Sequence, residues 1–71
     1  MVGMFPAIVG TYSIRESAEQ HAELLRKHDV EAVVTPSPDG RSWVVLVSAA
    51  QYPLAARLTE AARLTGELNS S

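Results

Sequence analysis

His21 and His28 are the side chains of this 71-residue chain best suited to move a proton or hold a metal. Seven residues apart on a helix, they are separated by about 10 Å along the axis. That is too far to share one ion, and each fits a core-edge or surface position better than a ligand or general-base role. The carboxylates stand singly or as helix-face charges, so no acid/base pair of the glycosidase kind is visible. With no cysteine, the chain has neither a disulfide nor a thiolate metal site. Ser13 is better explained as a helix cap than as a nucleophile, because Glu16 follows at the capping-box spacing. Gly10 lacks the second glycine that a phosphate loop needs. The expectation is therefore no catalytic residue, no metal and no cofactor. The aromatic residues Tyr12, Trp43 and Tyr52 remain, each able to pack in a core or to meet a ligand at the rim of a sheet.

The elements that position these residues follow from pattern. Residues 5–10 form a short apolar strand, with Pro6 at its start because proline cannot donate a ladder hydrogen bond. A helix over residues 14–28 presents Ile14, Ala18, His21, Ala22 and Leu25 as its inward stripe. Asp29 stops it. Residues 30–35 are a β-branched second strand. The run from Pro36 to Gly40 is the strongest turn signal, with Asp39-Gly40 at its tip. The third strand, residues 42–47, is apolar on both faces, with Trp43, Val45 and Val47 on one side and Val44 and Leu46 on the other. A second helix runs from Pro53 to Thr65, with Leu54, Leu58, Ala61 and Ala62 inward and Gly66 as its stop. The strand-to-helix unit recurs: eight residues separate Gly10 from Ala18, and eight separate Ser48 from Ala56.

This β-α-β-β-α order predicts an α+β fold: an antiparallel sheet with two helices on one face, on the ferredoxin-like plan with the fourth strand absent. Residues 4–66 form the single domain, and 1–3 and 67–71 are loose ends. Ile8, Val44 and Leu46 then lie on a sheet face without a helix over it, and one edge of the first strand is unpaired. Apolar faces and open edges imply a partner, such as a second copy meeting either surface.

Eight carboxylates against six Lys/Arg leave no basic face for nucleic acid, and the apolar N-terminal run is too short for a membrane span. A chain this small buries only about 60% of its unfolded surface, which again favours association or a larger parent protein.

The run IVGTYSIRESAEQHAELLRKHDVEAVV resembles the first half of the SPOR domain, the bacterial sporulation-related repeat. Gly10-Thr11-Tyr12 stands at the family's Gly-Ser-Phe, Ala18 at its helix alanine and Leu25 at its helix leucine. WVVLVSAAQYPLAARL follows the second half in spacing but carries Ser48-Ala49-Ala50 in place of the Gly-Pro-Phe type turn and Val44 where a polar residue is common. Asp29 also replaces the glycine that ends the family's first helix. The resemblance implies a non-enzymatic module that binds peptidoglycan glycan strands stripped of stem peptides, at division sites in the cell envelope. Its sheet-face residues are Ile8, Gly10, Val44, Leu46 and Ser48, with Tyr12 at the rim. A second resemblance, to a small prokaryotic signal-transducing domain of the same element order, implies a dimeric interaction or sensing module in the cytoplasm.

Overall fold

The computed structural model describes residues 6–66. Strand β1 (Pro6–Tyr12) is followed by helix α1 (Arg15–Lys27), strands β2 (Ala32–Pro36) and β3 (Trp43–Ser48), a single 3-10 turn (Ala49–Gln51) and helix α2 (Tyr52–Thr65). The three strands form one sheet in the order β1-β3-β2, antiparallel throughout. Buried residues of both helices, Ala18, Ala22 and Leu25 from α1 and Ala55 from α2, share one cluster with Val45 and Val47 of the central strand. The helices therefore lie on the same face, and the α+β architecture is the expected one. The expected start of the first strand at residue 5 and the two loose ends fall outside the described residues.

The turn chemistry holds. Ser37 N–H bonds to Ser42 O at 2.9 Å and Gly40 N–H to Ser37 O at 2.9 Å. Gly40 takes the left-handed conformation that the tip requires. The Asp39 carboxylate accepts from the Ser37 hydroxyl and the Arg41 N–H, which together hold its pKa below the ordinary value.

α1 ends in a Schellman arrangement: Val30 N–H bonds to Leu25 O at 3.0 Å and Asp29 N–H to Arg26 O at 3.1 Å. Asp29 occupies the left-handed position that glycine usually fills, and Leu25 and Val30 make the buried apolar contact that accompanies the motif. Gln51 ties this corner down, accepting from Glu31 N–H at 3.2 Å and donating to Asp29 O at 3.3 Å. At the end of α2, Gly66 is left-handed as the sequence predicts.

Three local expectations are corrected. The N-cap of α1 is Ile14 in extended geometry with no side-chain cap bond, so Ser13 and Glu16 form no capping box. The helix starts one residue later than the box needs, and Ile14, at 56% exposed, drops out of the inward stripe. In α2 the buried residues are Ala55, Thr59 and Ala62, while Leu54 and Ala61 face solvent and Leu58 is half-buried. The stripe is rotated by about one residue from the expected one, and a 3-10 turn stands between β3 and α2. The eight-residue repeat consequently pairs a fully buried Ala18 with an Ala56 that is only half-buried.

Candidate functional site

β1 carries a bulge between Ile8 and Gly10, and this one residue decides which side chains face which way. Ile8 pairs with Leu46, but Gly10 pairs with Val45, Thr11 with Val44 and Tyr12 with Trp43, leaving Val9 without a partner on β3. In an unbroken strand the two-residue period puts Ile8, Gly10 and Tyr12 on one face. The extra residue reverses the strand after Ile8. Gly10 and Tyr12 turn toward the helices, and Thr11 turns away. Of the five residues assigned to the sheet face from sequence, Ile8, Val44, Leu46 and Ser48 lie on the open side, whereas Gly10, together with Tyr12 that was expected at the rim, belongs to the helix-side layer.

The open face has two complete cross-strand rows. Ile8, Leu46 and Val33 stand side by side across β1, β3 and β2, and Thr11, Val44 and Thr35 form the next row. Ile8 is 54% exposed and Val33 is 58% exposed, with Leu46 half-buried between them. Val33 was not among the residues picked from sequence. Its signal was the alternation of β2, which puts Val33 and Thr35 opposite Ala32 and Val34. Val44 departs from expectation, since it is only 6% exposed although it lies outside the helix-side core cluster. It sits on the central strand with a threonine on each flank.

The helix side holds the polar centre of the molecule. His21, with no exposed surface, receives a partner at each ring nitrogen: Tyr12 Oη lies 2.9 Å from Nδ1 and Thr59 Oγ1 lies 2.7 Å from Nε2. Thr59 already donates its one hydroxyl proton to Ala55 O at 2.8 Å. Its oxygen must therefore accept from His21 Nε2–H, which leaves Nδ1 bare to accept the Tyr12 hydroxyl proton. The tautomer follows from counting protons. Every donor in this chain points the same way, from β1 through α1 to α2.

Burial lowers the His21 pKa to about 4, and the positive charge of Arg63 pushes in the same direction. Burial raises that of Tyr12, and the Arg63 guanidinium beside its hydroxyl partly offsets the rise. The neutral imidazole thus packs edge-on to Tyr12, with ring centroids 5.5 Å apart, and fastens three elements together. Gly10 makes room for it: a methyl group there would lie 2.6 Å from Nδ1 and 2.7 Å from Cε1.

Trp43 also faces the helices, packed against the core, with the Arg15 guanidinium 5.3 Å from its ring centroid. Arg15 in turn pairs with Glu19 at 3.4 Å. Tyr12 and Tyr52, which occupy comparable strand-to-helix junctions in the sequence, part company: Tyr12 is buried and Tyr52 exposed. Among the described residues no three His, Asp or Glu side chains gather as metal ligands, and no helix is long and apolar enough to cross a membrane.

Compared with models of protein families, with curated proteins and with solved structures, the chain gives no match.

Proposed function

We propose that this protein is a non-catalytic binding module that works through the open face of its sheet, and that the occupant of that face is a second copy of the chain. The observation that carries this reading is the row Ile8–Leu46–Val33, whose two outer members are more than half exposed. Two such faces related by a twofold axis present the same apolar row and the same threonine-flanked row to each other, as an isologous interface requires. No charged side chain stands in either row to oppose burial. Three strands about 4.8 Å apart and about 20 Å long give a footprint of roughly 300 Å². Counted on both copies that is about 600 Å², below the roughly 1,000 Å² a stable interface clears, so the dimer is weak and depends on concentration.

A second reading, binding of peptidoglycan glycan strands in the cell envelope, is the one the SPOR resemblance implies. Thr11, Thr35 and Ser48 favour it, because they place hydroxyl groups on the same face as the apolar row. Against it, Tyr12 and Trp43, the aromatic planes a sugar would stack on, both face the helices.

Sedimentation velocity over a hundredfold range of concentration tests the first reading. The expected result is a rise in apparent mass toward the dimer for the wild type and a monomer throughout for Val33→Glu. A wild-type monomer at every concentration sinks it. Retention on amidase-treated sacculi, lost on replacing Thr11 and Thr35 by valine, supports the glycan reading instead.

A further inference from the structure

We propose a second binding surface, independent of the open face: the outer edge of β1 and the neighbouring side of α2 form a groove that takes an extended, acidic polypeptide segment as an added strand. Sheet order leaves β1 at an edge, hydrogen-bonded to β3 alone among the described strands. Beside that edge runs a groove of about 440 Å³, lined by Val9 of β1 and by Tyr52, Ala56, Glu60, Arg63 and Leu64 of α2. Val9 is the bulge residue, so the site includes the one β1 residue without a partner on β3.

The dimensions suit a strand. From Tyr52 to Leu64 the helix advances about 18 Å, which matches five or six residues at the strand rise. An edge strand beside a helix supplies what strand addition needs: backbone donors and acceptors on one wall, side-chain pockets on the other. Ala56 keeps the helix wall shallow, and Val9 adds apolar surface to the lining.

Charge at the Arg63 end selects the occupant, while Glu60, the other charged residue of the lining, stands one helical turn away toward Tyr52. Arg63 is exposed at the end of the groove nearest Tyr12. The single ion pair among the described residues is Arg15–Glu19, so Arg63 is not paired with Glu60 one turn before it. The Arg63 guanidinium lies beside the Tyr12 hydroxyl, whose proton goes to His21, and makes no ion pair among the described residues. A carboxylate on the incoming strand pairs with it, with the geometric preference of guanidinium for carboxylate.

Heteronuclear NMR on ¹⁵N-labelled protein tests this, using two blocked pentapeptides of alternating threonine and valine with a central glutamate or a central lysine. The expected result is saturable shifts at Val9, Arg63 and Leu64 with the glutamate peptide, and roughly tenfold weaker binding of the lysine peptide. Arg63→Glu should reverse the preference between the two. Arg63→Gln, which removes the charge from an exposed position, should abolish the preference while leaving the spectrum folded. Shifts confined to Ile8, Val33 and Leu46, equal binding of the two peptides, or no saturation at millimolar peptide overturns the proposal. None of these outcomes depends on whether the open face dimerises.

Discussion

The two faces of the sheet are built from similar residue types and do opposite things. Toward the helices, Gly10, Tyr12, Val45 and Val47 meet Ala18, His21, Ala55 and Thr59 at close quarters, and even the polar groups there are matched proton for proton. On the other face, Ile8, Leu46 and Val33 stand beside Thr11, Val44 and Thr35 with no helix over them. The difference lies in what a substitution disturbs. On the first face a single atom collides with a neighbour or strands a hydrogen bond. On the second, at the exposed positions Ile8, Thr11 and Val33, it changes chiefly what the surface can attract.

Acidification probes the helix side most strongly. His21 titrates near pH 4 in the folded protein, against about 6.5 when unfolded. Between those values the unfolded chain binds the extra proton, so stability falls as pH falls through this window and is fully present above it. The depressed pKa corresponds to roughly 3 kcal/mol, comparable to the whole stability expected of a domain this small. Urea denaturation at pH 7 and pH 4.5 should show the loss, and His21→Gln should flatten it. An unchanged slope in that variant would show that His21 does not govern the acid response.

Gly10→Ala comes next. The added methyl is forced against the imidazole and should cost about 1–3 kcal/mol, lowering the melting temperature by several degrees per kcal/mol. Ile8→Ala, two residues earlier but on the open face, should cost less. Equal losses would erase the distinction between the faces.

A matched pair of threonine substitutions sharpens it further. Thr59→Val removes the acceptor for His21 Nε2–H and should cost about 1–3 kcal/mol. Thr11→Val makes the same chemical change on the exposed face and should stay within about 0.5 kcal/mol. Thermal melts of the two proteins, run side by side, read the contrast directly. The smallest stability effect is expected for Val33→Glu, also within about 0.5 kcal/mol, because its side chain is already mostly in water.

Much of the fold was legible in the residues. The helix stripe Ala18, His21, Ala22 and Leu25 was readable because α1 is a regular helix whose buried positions recur at its own period. The Asp39-Gly40 turn and the Gly66 stop were readable because they need local backbone shapes that few residues adopt. The capping box failed for the converse reason. Ser13 and Glu16 have the right spacing, but the exit of β1 sets where the helix begins, and it begins at Arg15. Leucines at positions 54 and 58 outranked Thr59 on hydrophobicity, yet a hydroxyl was what the buried imidazole required.

The sequence by itself determined the element order, the apolar character of β1 and β3, and the need for glycine or a turn former at the chain's sharp corners. These rest on local periodicity and backbone sterics. Only the tertiary structure decided which way Gly10 and Tyr12 face, because a bulge is a mismatch between two strands and neither strand alone records it. It likewise decided that His21 is a sealed, neutral clasp between β1, α1 and α2. The His21–Thr59 hydrogen bond spans 38 residues and exists only once those elements have packed.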